Sequence, residues 1–402
     1  MPALAPKLPA AGRRVRSEAL AGSADALSLA QLALSCAKER HLLAIVAAAP
    51  LAAQRLAEEI PWFAPGLRVA LLPDWETLPY DHFSPHQDLV SERLATLYRV
   101  ARNECDVLVI AATTALYRLA PPSYLAAFTF FLRQGERLAV DRLRAQLALA
   151  GYTNVTQVVS PGEFSIRGGL IDLFAMGSVL PYRIDLFGDD IESIKTFDVD
   201  SQRTLYPVPE IRLLPAREFP LDDAGRSKFR GRYREVFEGD PSKSPLYRDI
   251  SNGVAPGGIE YYLPLFFDAT ATLADYLPAD TTLVLHGDVP AAIERFWQDT
   301  DARYRLLRGD KARPLLPPAD LFLPLDTFNG ALKGFARIEV PSVVAEAAPT
   351  PAIADTPSAP HAAEGRGGKA HTSALPSVQV DRRAEDPLAA LKRFRPPPRH
   401  GC

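Results

Sequence analysis

Two histidines, His82 and His86, are spaced like a pair of metal ligands on one face of a helix. Pro85 lies between them and argues against a regular helix, and no third ligand accompanies the pair. We therefore expect these histidines to be solvated or to cap a helix, and we predict no metal site.

The segment Asp74–Asp81, DWETLPYD, combines carboxylates with aromatic rings, a composition that can support acid/base catalysis. No neighbouring residue completes such a site, and Pro79 and Pro85 stiffen the loop. The pair Gly257-Gly258 is too short to be a nucleotide-binding fingerprint and predicts a tight turn. We therefore assign structural roles to these residues and predict no catalytic residue in this chain.

Two arginines, Arg167 and Arg183, lie in a stretch that reads as a small antiparallel sheet, residues 151–204. Alternation of polar and apolar residues predicts strands at 164–167, 181–187 and 191–197. This sheet would have one apolar face and one charged face that carries both arginines. Such a face favours docking onto a protein partner, since guanidinium groups pair well with carboxylates. The residues alone leave open a second interpretation, in which both arginines are merely solvated.

The elements around this sheet alternate between strands and helices, a pattern that predicts a parallel α/β sheet. Residues 21–122 and 216–341 would form the two parts of one α/β domain, and residues 123–215 an α+β domain with an antiparallel sheet, inserted between them. We expect residues 1–20 to form a disordered basic tail. The composition of residues 342–402, rich in Ala and Pro, predicts a flexible linker. The start of a further domain is predicted near Pro387.

The length, net charge and cysteine content of the chain exclude several classes of function. A chain of 402 residues implies two or three folded units, and a net charge of −3 argues against a dedicated DNA-binding protein. The chain has an odd number of cysteines: Cys36, Cys105 and Cys402. This count favours a protein of the reducing cytoplasm without disulfides. No long apolar stretch follows the basic N-terminus, so we expect neither a signal peptide nor a membrane span.

Residues 151–204 resemble the second domain of UvrB and of the bacterial transcription-repair coupling factors (Mfd), the domain that binds UvrA in nucleotide excision repair. The coupling factors are the closer match, and the similarity covers roughly residues 20–340. It is carried by Leu72–Tyr98 (LPDWETLPYDHFSPHQDLVSERLATLY), Phe197–Thr204 (FDVDSQRT), Pro256–Phe267 (PGGIEYYLPLFF) and Arg313–Pro318 (RPLLPP). The resemblance implies a degenerate helicase-like fold of the P-loop NTPase type for the parallel-sheet domain.

The resemblance also assigns candidate site residues. Arg167 and Arg183 match arginines of the UvrA-binding surface, and Phe187 matches an aromatic contact beside them. The position of the phosphate loop falls around Gly22, Ser23 and Asp25, where the second Gly, the Lys and the adjacent hydroxyl are missing.

Asp288, after the strand predicted at 281–286, takes the place of an Asp-Glu motif but has no acidic neighbour. We therefore expect this chain to bind neither ATP nor Mg²⁺ and not to be an enzyme. In the full-length family members, ATP and Mg²⁺ serve an ATP-dependent DNA translocase.

The function implied is recruitment of UvrA in transcription-coupled nucleotide excision repair, by a monomeric, cytoplasmic protein. The motor and polymerase-binding domains of the family lie C-terminal to this region, and we expect them to be absent here. RNA polymerase and DNA would then be contacted only through those missing domains. Two alternatives remain: a UvrB-like ATP-dependent helicase or damaged-DNA-binding subunit, and a module that binds DNA directly.

Overall fold

A computed structural model of the protein describes residues 8–20 and 22–341, and the predicted linker at 342–402 lies outside the described residues. The described strands are β1 (Arg14–Arg16), β2 (Leu43–Ala47), β3 (Val69–Leu72), β4 (Val107–Ala111), β5 (Phe130–Arg133), β6 (Thr153–Asn154), β7 (Glu163–Arg167), β8 (Leu170–Leu173), β9 (Tyr182–Phe187), β10 (Asp190–Phe197), β11 (Thr204–Pro207), β12 (Glu210–Leu213), β13 (Thr282–His286) and β14 (Ala336–Val340). The α-helices are α1 (Ala24–Lys38), α2 (Pro50–Phe63), α3 (Gln87–Ala101), α4 (Pro122–Ala127), α5 (Val140–Leu149), α6 (Asp223–Val236), α7 (Pro245–Ser251), α8 (Leu273–Tyr276), α9 (Val289–Leu307), α10 (Pro318–Leu321) and α11 (Leu325–Ala331).

A parallel sheet organises the first and last parts of the described chain, with strand order β1-β14-β13-β2-β4-β3. Strands β1 to β4 precede the inserted segment and β13 and β14 follow it, so the sheet joins both parts, as the sequence predicts. Strands β2 and β4 are buried at every position. Their continuous apolar runs are typical of parallel strands that are covered on both faces.

Each face of the parallel sheet has its own hydrophobic core. Leu43 and Ile45 of β2 pack with residues of α1 and α2 on one face. Ala44 and Val46 point to the other face and join a larger cluster. That cluster continues into the inserted segment, so the two sheets share one core.

The inserted segment forms the antiparallel sheet that the sequence predicts, in the order β11-β10-β9-β8-β7-β6. Only the short pair β6–β7 is parallel in this sheet, and the other neighbours are antiparallel. Gly188 has φ +63 in the turn between β9 and β10, a backbone conformation that glycine adopts without strain. Strands β5 and β12 form a separate two-stranded ribbon where the chain enters and leaves the segment.

The prediction of a disordered tail over residues 1–20 is wrong for part of that segment. Arg14–Arg16 forms the edge strand β1, which pairs in parallel with Arg337–Glu339 of β14. The Arg14 guanidinium also forms an ion pair with Glu339. Because the partner strand lies more than 300 residues away in the sequence, local sequence patterns do not reveal this pairing.

His86, Trp75 and Tyr80 have the structural roles assigned to their segments from sequence. His86 caps α3, where its Nδ1 accepts a hydrogen bond from the Asp88 amide at 3.3 Å. The rings of Trp75 and Tyr80 are buried. Within residues 8–20 and 22–341, no group of three or more His, Cys, Asp or Glu is arranged to hold a metal ion. None of the described helices is long and apolar enough to cross a membrane.

Candidate partner-binding surface

The outer face of the inserted sheet carries the residues singled out from the sequence. Alternation along β9 places Arg183, Asp185 and Phe187 on this face, and Ile184 beneath it. The register pairs Arg183 with Asp172 of β8 on one side and with Lys195 of β10 on the other. The predicted apolar lower face is therefore confirmed, and the upper face carries the charged residues together with the buried Phe197 ring.

A buried carboxylate, Asp172, joins the two candidate arginines. Its side chain is only 1% exposed. Arg183 donates to it through Nε at 2.7 Å and through a terminal nitrogen at 3.0 Å, and Arg167 donates at 2.5 Å. A buried carboxylate requires such partners, because leaving it uncompensated is costly.

The two arginines differ in exposure. The Arg183 side chain is 16% exposed, lies over the Phe197 ring at 4.8 Å, and donates to the carbonyl of Gln202 at 2.9 Å. The Arg167 side chain is 54% exposed and makes a single ion pair. The expectation that both arginines are exposed contacts therefore needs correction: Arg183 is mostly covered and holds the sheet together, whereas Arg167 is accessible.

Phe187 is the most prominent apolar residue of this face, with 78% of its surface exposed. It ends β9, next to the Gly168-Gly169 turn that follows Arg167, where the Leu186 amide donates to the Gly169 carbonyl at 2.8 Å. An exposed phenylalanine and an accessible guanidinium on the same face have the composition of interface anchors. The face also carries an ion pair between Lys195 and Asp185 at 3.1 Å.

The residues matched to the phosphate loop lie at the beginning of α1. Gly22 has φ +57, Ser23 precedes the helix without a side-chain cap, and Asp25 lies in the first turn. The buried Asp25 carboxylate accepts hydrogen bonds from Arg55 at 2.5 and 3.0 Å and lies 2.9 Å from Nε2 of His286. Burial alone would raise the pKa of this carboxyl, but the hydrogen bonds with His286 and Arg55 outweigh it and lower the pKa to about 2. Asp25 is therefore an ionised internal anion.

A phosphate loop joins a strand to the beginning of a helix, and more than one turn of the parallel sheet does so. Strand β2, flanked by β13 and β4, leads through Ala48 and Ala49 into α2 at Pro50. This turn contains no Gly, Lys, Ser or Thr. Gly22 and Ser23 likewise lie between a parallel strand, β1, and a helix, α1, which contains Asp25 in its first turn, so the assignment of these residues to the phosphate-loop position stays a prediction.

Asp288 caps α9. Its carboxylate accepts a hydrogen bond from the Ala291 amide at 3.1 Å, and the residue is exposed. This interaction gives Asp288 a local role that stabilises the helix N-terminus.

Sequence reasoning missed the buried charges that organise these regions: Asp172 beneath the two arginines, and the cluster of Asp25, Arg55 and His286. Strand alternation places Asp172 on the outer face of the sheet, and this was the only sign of its role in the sequence. Its burial depends on residues that are brought together by the fold. Arg55 and His286 lie 30 and 261 residues from Asp25 in the sequence, so no local pattern joins them.

Comparisons with known proteins agree with this architecture. A family described as the UvrB interaction domain matches residues 130–219, which include the whole candidate surface. The structure is thus an α/β protein with an inserted UvrB interaction domain.

The chain is 42% identical to the transcription-repair-coupling factor of Escherichia coli (strain K12) over 378 residues, which make up 93% of this chain and 31% of that protein. It is 39% identical to the Haemophilus influenzae protein of the same name over 373 residues, 92% of this chain and again 31% of the relative. Over nearly its whole length, the chain is therefore homologous to a UvrB-like part of the transcription-repair coupling factors, and it spans about a third of their length.

Proposed function

We propose that this chain acts in transcription-coupled nucleotide excision repair by presenting its inserted sheet to UvrA. The observation that carries the proposal is the UvrB interaction domain at 130–219, whose outer face exposes both Phe187 and Arg167. Apolar and guanidinium anchors of this kind contribute a large share of binding energy at protein interfaces.

The roles of the three site residues follow from their surroundings. Phe187 would insert into an apolar recess of UvrA, and Arg167 would pair with a carboxylate while keeping Asp172 as its intramolecular partner. Arg183 would act mainly by holding the surface in shape, because its guanidinium is already engaged by Asp172 and by the Gln202 carbonyl.

The experiment is a binding titration of UvrA with the purified chain and with the variants Phe187→Ala and Arg167→Ala. Each truncation should weaken binding by roughly tenfold or more, the loss expected of an interface anchor of about 1.4–2 kcal/mol. Two matched controls use exposed residues elsewhere: Arg142→Ala on the inserted segment and Phe83→Ala on the parallel-sheet part. Equal affinity of all five proteins would refute the assigned surface, and failure of the parent to bind at micromolar concentrations would refute the function.

The parallel-sheet part supports a second element of the proposal, a degenerate fold of the helicase, P-loop NTPase type that no longer binds nucleotide. The positions matched to the phosphate loop, around Gly22, Ser23 and Asp25, lack the second Gly and the Lys, and the Asp25 carboxylate there is ionised. We assign ATP-driven translocation, and contacts with RNA polymerase and DNA, to the part of the relatives that this chain does not span. We further propose a monomeric protein of the cytoplasm, with domains divided near residues 122, 215 and 341.

A further inference from the structure

A cavity of about 230 Å³, here called the junction cavity, lies where the chain leaves the inserted segment and rejoins the parallel-sheet part. Its walls come from residues 84–90, which include the beginning of α3, from residues 216–219, and from residues 255–260. Ser84 and Ala255 at its edge are exposed, so the cavity is open to solvent there. It shares no residue with the candidate UvrA surface.

Arg217 is the one basic residue in the lining of the junction cavity, and its side chain is partly buried. Its aliphatic stem packs against the inserted segment, because a Cβ added to Gly151 would lie 3.2 Å from the Arg217 Cγ. Within the described part of the chain, its guanidinium forms neither an ion pair nor a hydrogen bond, and burial lowers its pKa. A cation withdrawn from water without a counter-ion is costly, so the cavity favours an anionic occupant.

Two carboxyl groups in the same lining limit the charge of that anion. Glu218 is buried and is already paired with Arg93 at 2.7 Å. Glu260 is also buried and accepts a hydrogen bond from the Ser84 hydroxyl at 2.8 Å. Both carboxyl groups would repel a doubly charged phosphate. A carboxylate carries one negative charge and matches the planar fork of a single guanidinium.

Most of the remaining lining is apolar, with Val90, Phe219 and Ile259 buried in the wall. Ligand pockets for drug-sized molecules usually have volumes of roughly 300–1,000 Å³, so this smaller cavity suits a molecule of only a few carbon atoms. We propose that the junction cavity binds a short monocarboxylic acid, with its carboxylate paired to Arg217 and its carbon chain against Val90 and Ile259.

A titration of the full chain with butyrate, followed by methyl NMR, tests the site without any substitution. The methyl signals of Val90 and Ile259 should shift with a dissociation constant on the order of 1 mM. Ile45 packs on the other face of the parallel sheet, and its signal should not shift. Butyramide has the same shape but no charge and should bind at least tenfold more weakly. Equal affinity for both compounds, or no shift with butyrate, would overturn the proposal.

Substitution of Arg217 tests the residue that is proposed to hold the carboxylate. Arg217→Gln should weaken butyrate binding at least tenfold, and Arg217→Lys, which keeps the charge but loses the fork, should weaken it less. The matched control is Arg230→Gln on α6, because Arg230 is also partly buried and also lacks an ion pair within the described chain. This control should bind as the parent does. Unchanged affinity in both Arg217 variants would overturn the proposal.

The pH dependence of binding gives a readout that an exposed arginine would not produce. An ionised Glu260 opposes an anion in the cavity, and burial raises the pKa of this carboxyl to about 7. Butyrate itself stays ionised at neutral pH. Because the protonated fraction of Glu260 changes about tenfold between pH 8 and pH 6, butyrate should bind about tenfold more tightly at pH 6. Glu260→Gln should remove this dependence.

Other ionisable groups lie close to Glu260, and the histidines among them need a control. Glu218, Arg217, Arg313 and Tyr261 interact with Glu260 electrostatically, and the neighbouring loop carries His82 and His86. Histidines commonly titrate between pH 5 and 8, so they could also strengthen anion binding on acidification. The double variant His82→Gln with His86→Asn should keep the pH dependence. If this variant loses it and Glu260→Gln keeps it, the anion binds at the loop, and the proposal is overturned.

Inorganic phosphate tests the class of the ligand. It should shift the Val90 and Ile259 methyl signals at least tenfold less effectively than butyrate, because it carries a second charge and no carbon chain. Such a preference would support a monocarboxylate site. Phosphate affinity equal to that of butyrate and lost in Arg217→Gln would show a general anion site, and would overturn the assignment to monocarboxylic acids.

Discussion

The two arginines of the candidate surface interact differently with the buried Asp172 carboxylate. Arg183 meets the buried carboxylate with two hydrogen bonds and stacks over Phe197, while Arg167 adds one bond from a mostly exposed position. Removing one partner of a buried ion pair destabilises a protein more than removing an exposed one, because the remaining charge stays desolvated. The residues that hold the surface in shape and the residues proposed to contact UvrA therefore need separate tests.

We predict that Arg183→Ala lowers the free energy of unfolding by about 2–4 kcal/mol, and that Arg167→Ala lowers it by less than about 1 kcal/mol. Urea unfolding of each variant measures the difference. The double variant Asp172→Asn with Arg183→Leu should recover part of the loss, since it removes the buried charge that Arg167 alone would have to compensate. Equal, small losses for both single variants would show that Asp172 does not depend on Arg183.

Glu260 is a second buried carboxyl with a measurable consequence. Burial raises its pKa to about 7, although the Ser84 hydroxyl donates to it at 2.8 Å. Glu218, also buried, adds repulsion, while Arg313 favours the charged form. Because the folded-state pKa lies above the unfolded value of about 4.5, folding favours the protonated carboxyl.

The stabilising effect of Glu260 protonation is complete below about pH 4.5 and is lost as the pH rises through 7. The loss from pH 5 to pH 8 is on the order of 3 kcal/mol for this group. We predict that Glu260→Gln, which keeps the acceptor for Ser84, makes the free energy of unfolding less dependent on pH over that range. Urea titrations at pH 5, 6.5 and 8 measure it. A variant with the same pH dependence as the parent would contradict the raised pKa.

At the scale of elements, the beginnings of α1 and α2 decide whether the parallel sheet can hold a nucleotide. The turn into α2 offers alanines and a proline instead of phosphate ligands, and the nearby Asp25 is ionised. We predict that 1 mM Mg-ATP leaves the melting temperature unchanged. A dissociation constant of 10 µM would instead stabilise the fold by about 2.7 kcal/mol. ATP turnover above that of an Asp288→Ala control would also contradict the prediction.

The sequence predicts elements well where the signal is local. Strands β2 and β4 are continuous apolar runs, and α2 begins at the proline that suits a first helical turn. The edge strand β1 and its partner β14 were not predicted, because neither is apolar throughout and each depends on the other across the chain. Helix α5 begins at Val140, and the preceding Arg137 forms ion pairs with Asp189 and Asp190 of the inserted sheet, which are distant in sequence.

The same distinction applies to the candidate site. The sidedness of the inserted sheet follows from alternation along β9, so the face that carries Arg167, Arg183 and Phe187 could be predicted. The burial of Arg183 could not, because it depends on Asp172, Phe197 and the Gln202 carbonyl meeting in three dimensions. Patterns of residues identify a face, whereas the exposure of each side chain on it is a property of the fold.

At the scale of the whole molecule, the inserted segment is joined to the parallel-sheet part by buried polar and close-packed contacts. Arg93 of α3 is fully buried and donates to Glu218, just after the segment, at 2.7 Å, and to the Pro73 carbonyl at the same distance. Gly177 packs so closely that an added Cβ would lie 2.7 Å from the Cβ of Ala95. One hydrophobic cluster crosses both parts, although the parallel sheet has a second cluster of its own on the face covered by α1 and α2.

We therefore predict that the described core unfolds in a single cooperative transition. Tryptophans 62, 75 and 297 all lie outside the inserted segment, so their fluorescence reports on the parallel-sheet part. Hydrogen exchange at residues 164–197 reports on the inserted sheet. Both should give one urea midpoint, and Gly177→Ala should lower both together because it strains the shared contact. Distinct midpoints, or a Gly177→Ala effect limited to one probe, would mean that the inserted sheet folds independently and could present its UvrA surface without the rest of the chain.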